Sequence, residues 1–119
     1  PARIVLFEQG EFQLYSINQE MQADALLTNT PVIARLGSVT NEARVRGVIA
    51  DEGVEVILHA AANKHVPLVE ENELEGARNN VLGTRVVAEA ARLCVPPILW
   101  AQPNGWLSWL YKTYRPAAM

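Results

Sequence analysis

The sequence predicts an α/β fold in which helices cover both faces of a parallel sheet. Three short apolar runs rich in β-branched residues, at residues 4–7, 32–36 and 54–58, are typical of buried strands. Amphipathic stretches with helical spacing separate them. Strands that alternate with helices indicate a doubly wound sheet. The 119 residues suffice for at most one domain, and 50% of them are hydrophobic, enough for a core.

Composition argues against several classes of function. The net charge is −3 and the chain has no basic run, so no nucleic-acid partner is expected. The single cysteine, Cys94, rules out an intrachain disulfide and favours a reducing, cytoplasmic location. No apolar stretch approaches the roughly 18 residues of a membrane span. His59, His65 and Cys94 lack the pattern of a metal site, so no metal is predicted.

The first strand ends at Glu8, and a turn at Gln9 and Gly10 leads into a helix. Taken by itself, an acidic residue at this strand end is best interpreted as a solvated charge. Apolar residues recur in the helix at roughly helical spacing and are expected to pack on the sheet: Phe12, Tyr15, Ile17 and Met21.

A second strand and helix follow. Asn29, Thr30 and Pro31 interrupt the helical pattern before the strand at residues 32–36. Thr40 is the predicted N-cap of the next helix, and Gly53 is predicted to end it. The buried stripe predicted for this helix consists of Val45, Val48 and Ile49.

The stretch from Val54 to Thr84 is the most informative part of the chain. Three alanines follow the third strand at its carboxyl end, where open α/β sheets bind ligands, and they leave room for a flat ligand close to the backbone. A long helix is predicted from Leu74 to about Leu93. Gly83 inside it costs about 1 kcal/mol of helix propensity, which a close contact would explain. The face predicted to pack on the sheet consists of Ala77, Val81, Thr84, Ala88 and Ala91.

Two motifs carry a family resemblance. H-A-A-A-x-K-H-V-P-L-x-E-x-N occupies residues 59–72, and N-N-V-x-G-T occupies residues 79–84. From about Arg3 to about Val95 the chain resembles nucleotide-sugar 4,6-dehydratases of the extended short-chain dehydrogenase/reductase superfamily. The resemblance implies a Rossmann-like domain, NAD or NADP as cofactor, and a UDP-N-acetylhexosamine as substrate in polysaccharide biosynthesis. A related NAD-dependent nucleotide-sugar epimerase is the enzyme alternative.

The resemblance also implies site residues. The predicted cofactor-binding residues are Glu8, Ser38, Val39, Ala60, Ala61, Ala62, Lys64 and Asn80. The predicted substrate-binding residues are His65 and Asn79. Glu8 would bind the adenosine ribose and disfavour a 2′-phosphate, so NAD is slightly favoured over NADP. Ser38 would border the adenine, and Asn80 would belong to the network near the nicotinamide. Without the resemblance, Lys64 and His65 fit an ordinary surface loop slightly better.

No part of this sequence matches the segment expected at the amino-terminal end of such a fold. A Rossmann-like fold begins with a strand and a glycine-rich turn that binds the pyrophosphate, and the seven glycines form no such cluster. By resemblance, residues 1–95 are a partial NAD(P)-binding domain that starts at the second strand. In the strand order 3-2-1-4, the missing strand leaves a gap between the first and third strands of this chain. The unpaired edges are expected to promote self-association and to weaken cofactor binding.

Residues 96–119 form an atypical tail that holds all three tryptophans, Trp100, Trp106 and Trp109. The family's segment with a catalytic aspartate and lysine is not found, so no catalytic residue is assigned and the chain is expected to be inactive. Codons permitted by the tail can encode T-N-P-V-G-A-T-K-R, the family's continuation, in the neighbouring frame, and our hypothesis is a frameshift. The non-enzyme alternative is a genuine tail, with residues 98–101 as a substitute strand and the aromatic residues as an interaction surface.

Overall fold

Strands and helices alternate along the chain in the computed structural model, which describes residues 1–63 and 65–94 and the backbone of residues 98–100. This part contains the strands β1 (Ile4–Glu8), β2 (Val32–Leu36), β3 (Ile57–His59) and β4 (Ile98–Trp100). Its α-helices are α1 (Glu11–Ala23), α2 (Glu42–Asp51), α3 (Val66–Glu71), α4 (Glu73–Ala77) and α5 (Gly83–Cys94). A 3₁₀ turn spans Ala25–Leu27, and a π-helical turn at Arg78–Leu82 joins α4 to α5. None of these helices is long and apolar enough to cross a membrane.

Two parallel strand pairs form the sheet layer. β1 pairs with β2, with Ile4 opposite Val32. β3 pairs with β4, with Ile57 opposite Ile98. In the described residues no strand joins β1 to β3, so the predicted gap is present. Self-association through the two edges that face this gap stays a prediction.

Part of the atypical tail forms the strand β4. Its residues, Ile98–Trp100, pair with β3 as the substitute-strand interpretation of the tail predicts. The remainder of the predicted interaction surface, including Trp106 and Trp109, lies outside the described residues. The frameshift hypothesis concerns the gene, and it stays a hypothesis that the nucleotide sequence will test.

The hydrophobic core lies where α2 and α5 pack on one face of the strands. Its buried members are Val39, Val45, Ile49, Val86, Val87 and Ala90. Phe7 of β1 and Ile57 of β3 pack against this cluster, so one helical layer supports both strand pairs. The predicted stripe of α2 is confirmed, because Val45, Val48 and Ile49 are all buried.

Both ends of α2 are defined by local hydrogen bonds and backbone conformation. The N-cap is Asn41, whose side chain accepts a hydrogen bond from the Arg44 N–H, so the prediction of Thr40 is wrong by one residue. Thr40 belongs instead to the preceding turn, where its N–H donates to Ser38 Oγ. Gly53 ends the helix as predicted, with a φ of 58° that a residue with a side chain rarely adopts.

Helix α1 packs on β1 and β2 through a different face from the predicted one. Its buried residue is Leu14, and Met21, seven residues later, is half-buried. Phe12 is 77% exposed, Tyr15 is 62% exposed and Ile17 is also exposed, so the prediction that they pack on the sheet is wrong. Positions seven residues apart share a helix face, whereas the first three predicted positions do not follow this spacing.

The predicted inner face of the long helix is only partly right. Ala91 is buried and Thr84 is half-buried, but Ala77, Val81 and Ala88 are exposed. The buried residues of α5 are Gly83, Val86, Val87, Ala90 and Ala91, so most of the predicted positions lie one residue too late.

The third strand is shorter than predicted. The predicted run began at Val54, but the strand begins at Ile57, where pairing with β4 begins. Val56 is half exposed and Leu58 is 69% exposed, whereas Ile57 packs against the core. The face of β3 opposite α2 and α5 is therefore open in the described residues.

A buried carboxylate connects the first strand pair to α2. Glu52, the C-cap of α2, is only 8% exposed and forms a short ion pair with Arg35 of β2. A second guanidinium, that of Arg3, has Nη1 at 3.6 Å from Glu52 Oε2. Two cations thus compensate for burying one negative charge. The contact holds the amino end of β1 and the end of α2 together, away from the carboxyl edge.

Candidate functional site

A polar cavity of about 150 Å³ lies at the carboxyl edge of the strands. Each loop that follows β1, β2 or β3 contributes to it, and so does the helical segment around the π-helical turn. The lining residues are Gln9, Ser38, Thr40, Asn63, Glu75, Arg78 and Asn79. Parallel α/β sheets bind ligands at this edge, which makes the cavity the candidate site.

A second cavity of about 300 Å³ adjoins the first and shares Asn63 and Glu75 with it. Leu68 and Val69 of α3 give it apolar walls, and His65 lies at its side. It forms where α4 packs closely on α3: a side chain at Gly76 would place its Cβ 2.7 Å from Val69 Cγ1. The glycine therefore permits the helix contact that shapes this cavity.

The Glu8 carboxylate is fixed by the turn after β1. Its Oε1 accepts hydrogen bonds from the backbone N–H groups of Gln9 and Gly10, each at 2.9 Å. These bonds hold the carboxylate next to Gln9, a residue of the cavity wall. Within the described residues, Oε2 of Glu8 has no hydrogen bond, so it can accept one from a ligand.

After β2, the two hydroxyl groups of the cavity wall contact each other. Ser38 Oγ and Thr40 Oγ1 lie 2.9 Å apart. Val39, between them, points away from the cavity and is buried in the core. The structure thus places Ser38 in the cavity wall and the Val39 side chain beneath it.

The three predicted alanines lie beside the cavities rather than in their walls. Ala60 is exposed, whereas Ala61 and Ala62 are half-buried. The Ala62 N–H donates to the Ala60 carbonyl at 2.9 Å, which makes a tight turn at the end of β3. Ala61 packs against the core cluster. This turn directs the following loop toward the π-helical turn.

Two asparagine side chains bind the loop after β3. Asn80 Oδ1 accepts from the Asn63 N–H at 2.7 Å, and Asn80 Nδ2 donates to the Asn63 carbonyl at 2.9 Å. Asn79 Nδ2 donates to the Ala61 carbonyl at 3.1 Å. Both side chains belong to the π-helical turn, a local form that is frequent at functional sites. We call the paired bonds between Asn80 and Asn63 the asparagine clasp.

The predicted site residues divide into three groups. Ser38, His65 and Asn79 line the cavities, and Glu8 lies beside the smaller one. The three alanines, Val39 and Asn80 do not line the cavities. They contact the segments that form the cavity walls, as described above. Lys64 lies outside the described residues.

Five residues of the smaller cavity are not among the predicted site residues: Gln9, Thr40, Asn63, Glu75 and Arg78. Gln9, Asn63 and Arg78 directly adjoin a predicted residue or motif, so adjacency was the available signal. Thr40 was assigned to a helix cap instead. Glu75 lies at the cavity only because of how α3 and α4 pack.

His59 is a buried histidine next to the clasp. It is 6% exposed, and its Nε2 lies 3.3 Å from Thr84 Oγ1. The Thr84 hydroxyl in turn donates to the Asn80 carbonyl. Burial lowers the pKa of His59 below its usual value of 6.5, because the protonated ring is poorly solvated there.

The lowered pKa of His59 should make stability depend on pH. The folded chain binds this proton less readily than the unfolded chain, so the free energy of unfolding is highest above the unfolded-state pKa, about 6.5, and falls as pH drops from there toward the folded-state pKa. Urea unfolding of the parent and of His59→Gln, between about pH 8 and about pH 5.5, should show a weaker dependence in the variant. His65→Gln, at an exposed position, should keep the parental dependence. Equal pH profiles for the parent and His59→Gln would contradict this.

The parallel strands, the helices on their faces and the polar cavity at the carboxyl edge define a Rossmann-type α/β domain. Comparison with known proteins then identifies the protein family within this class. The chain belongs to the polysaccharide biosynthesis protein family, whose sequence profile matches residues 1–95. The predicted fold class and the predicted family are both confirmed.

Curated relatives agree with this assignment. The capsular polysaccharide biosynthesis protein CapD of Staphylococcus aureus is 43% identical over 94 residues, which are 77% of this chain and 15% of that protein. The probable polysaccharide biosynthesis protein EpsC of Bacillus subtilis is 34% identical over 91 residues, 76% of this chain and 15% of that protein. A UDP-N-acetylglucosamine 4,6-dehydratase (inverting) of Campylobacter jejuni is 29% identical over 91 residues, which are 76% of this chain and 25% of that protein. The chain therefore spans 15% to 25% of these relatives.

Solved structures share the fold. Pen from Bacillus thuringiensis superposes with a TM-score of 0.72 at 25% identity, over 84% of this chain and 29% of that one. A UDP-glucose 4-epimerase from Stenotrophomonas maltophila with bound NAD gives a TM-score of 0.70 at 16% identity, over 81% and 28%. At that identity the second similarity supports the fold alone.

Proposed function

We propose that this chain is the adenosine-binding part of an NAD(P)-dependent nucleotide-sugar 4,6-dehydratase of polysaccharide biosynthesis. The observation that carries the proposal is the polar cavity bounded by the Glu8 turn, the Ser38 turn and the asparagine clasp. The Campylobacter relative named as a UDP-N-acetylglucosamine 4,6-dehydratase supports the reaction type and a UDP-N-acetylhexosamine substrate.

The residues around the cavity fit the adenosine half of the cofactor. The Oε2 atom of Glu8 is available to accept hydrogen bonds from the ribose hydroxyls, and the backbone N–H groups that hold Oε1 keep it in place. The Ser38 hydroxyl faces the cavity and would hydrogen-bond the edge of the base. A carboxylate at the ribose disfavours a 2′-phosphate, so NAD is the preferred form.

The sugar chemistry needs groups beyond those of the cavity. When bound, the nicotinamide accepts and then returns a hydride, the redox chemistry that 4,6-dehydration requires. This chain's residues would orient the cofactor: the clasp fixes the loop after β3, with His65 and Asn79 toward the substrate. We expect weak cofactor binding by these 119 residues alone, because their glycines form no pyrophosphate-binding turn. We also expect no sugar turnover, because no pair of acid and base is assigned in the cavity.

A nucleotide titration followed by NMR tests the proposal. Adding AMP or NAD to the labelled chain should shift the amide signals of the cavity residues, with Gln9, Ser38 and Asn63 among them. Glu8→Gln should weaken AMP binding about 3- to 10-fold, because a charged acceptor is replaced by a neutral one. Glu11→Gln makes the same charge change on the exposed first turn of α1 and should leave affinity unchanged. An absence of shifts at the cavity at millimolar AMP would refute the proposal.

A further inference from the structure

Arg78 is a cavity residue that neither the motifs nor the family resemblance singled out. It begins the π-helical turn and lines the smaller cavity beside Asn79. The loops that carry Gln9 and Ser38 line the same cavity. Arg78 therefore shares this cavity with Ser38, the residue proposed to bind the edge of the base.

The positive charge of Arg78 has no ion-pair partner in the described part of the chain. Other arginines of the described residues have protein partners: Arg3 and Arg35 contact Glu52, Arg46 contacts Glu42, Arg92 contacts Glu89, and Arg44 donates to the Leu36 carbonyl. In the same part of the chain, Arg78 and Arg85 have neither an ion pair nor a hydrogen bond. Of these two, only Arg78 lines a cavity there.

Neighbouring polar groups of the cavity are already engaged. The Ser38 and Thr40 hydroxyls contact each other, and the Asn79 amide donates to the Ala61 carbonyl. Among the residues that line this cavity, Arg78 is the positively charged one, and its planar guanidinium has no bonding partner in the described part of the chain. A guanidinium binds either an anion or the face of an aromatic ring.

The local charge distinguishes these two ligands. The Glu75 carboxylate lines the same cavity, and the Glu8 carboxylate is held beside Gln9 at its wall. One carboxylate in the cavity lining and a second next to Gln9 disfavour a phosphate in this cavity, because like charges repel at short range. An uncharged, planar base meets no such penalty.

We propose that the Arg78 guanidinium stacks on the nucleobase of the bound nucleotide and is a determinant of its affinity. This rests on the proposed function, because it assumes that a nucleotide occupies the cavity. It adds a recognition element from the π-helical turn to that of the Ser38 turn, so that two chain segments contact the base.

Titrations of AMP and adenosine into four chains test the inference: the parent, Arg78→Ala, Arg78→Gln and Arg85→Ala. Arg78→Ala and Arg78→Gln should each weaken AMP binding about 3- to 30-fold, the range of a desolvated cation–π contact. Both ligands should lose affinity by the same factor, since they carry the same base. Arg85→Ala removes the other unpaired arginine from an exposed position and should bind like the parent.

The outcomes separate the two proposals. If the parent binds neither ligand, the proposed function fails and the inference fails with it. If the parent binds and Arg78→Ala binds equally well, only the inference is overturned. A loss confined to AMP would assign the contact to its phosphate and overturn stacking on the base. Matching urea unfolding curves for all four chains would show that the fold is intact in each.

Discussion

Replacing Asn80 by alanine is expected to weaken AMP binding about tenfold and to destabilise the chain by about 1–2 kcal/mol. The variant loses both hydrogen bonds of the asparagine clasp, which hold the Asn63 backbone at 2.7 and 2.9 Å. Asn63 is exposed, so water replaces part of what the clasp provides, and the loss of stability stays modest. The loop after β3 forms walls of both cavities, however, so its release should affect binding more than stability.

Hydrogen exchange of the Asn63 amide measures the clasp directly. Exchange should become much faster in Asn80→Ala and change less in Asn80→Asp, which keeps an acceptor for the Asn63 N–H but loses the donor. Asn18→Ala is the matched control, because it removes an exposed asparagine that only accepts a hydrogen bond from Gln22. An unchanged Asn63 exchange rate in Asn80→Ala would show that the clasp does not hold the loop.

Substituting alanine for glycine should have opposite effects at two helical positions. At Gly83 the added Cβ would lie 2.6 Å from Val39 Cγ2, a buried and stiff side chain, so we expect a loss of about 1–3 kcal/mol despite the better helix propensity of alanine. At Gly47 of α2 nothing lies within 4 Å of the added atom, and we expect a gain of about 0.5–1 kcal/mol. Urea unfolding measures both changes in free energy.

A double-mutant cycle identifies the cause at Gly83. Val39→Ala removes the methyl group that the new Cβ would meet, so Gly83→Ala should cost less in that background than in the parent. Gly47→Ala should have the same effect in both backgrounds, since Val39 is not near it. Additive effects of Gly83→Ala and Val39→Ala would mean that the contact is not the source of the loss.

β1 and β2 could be predicted because the sequence pattern of each strand lies within a few consecutive residues. Short β-branched runs gave β1 and β2 nearly residue by residue, and the stripe of α2 followed from a regular helical period. The inner face of α5 was assigned one residue too late at most positions, because small residues also occupy the exposed side of this helix, as at Ala88. The extent of β3 depends on its pairing with β4, a partner about 40 residues away in the chain.

The sequence could predict that the candidate site lies at the carboxyl edge of the sheet, but not all of the residues that line it. A strand end followed by a polar or small residue indicates the carboxyl edge, where the structure has Ser38 in the cavity wall and Glu8 next to Gln9. Arg78 and Thr40 reach the cavity only through the packing of separate loops and helices, which no local pattern encodes. Gly83 was recognised as unusual, but only the packing could reveal the Val39 side chain as its close neighbour.

The π-helical turn sets the relative rotation of α4 and α5. A π turn holds one residue more than an α turn, so deleting one residue from Arg78–Leu82 would leave a continuous α-helix. The deletion would also rotate α4 by about 100° relative to α5, the angle between successive residues. The two asparagines would then no longer both face the loop after β3. The additional residue in this turn therefore changes the direction in which the following side chains point. As a result, the apolar residues of α5 face the core while the two asparagines of the turn face the ligand-binding edge.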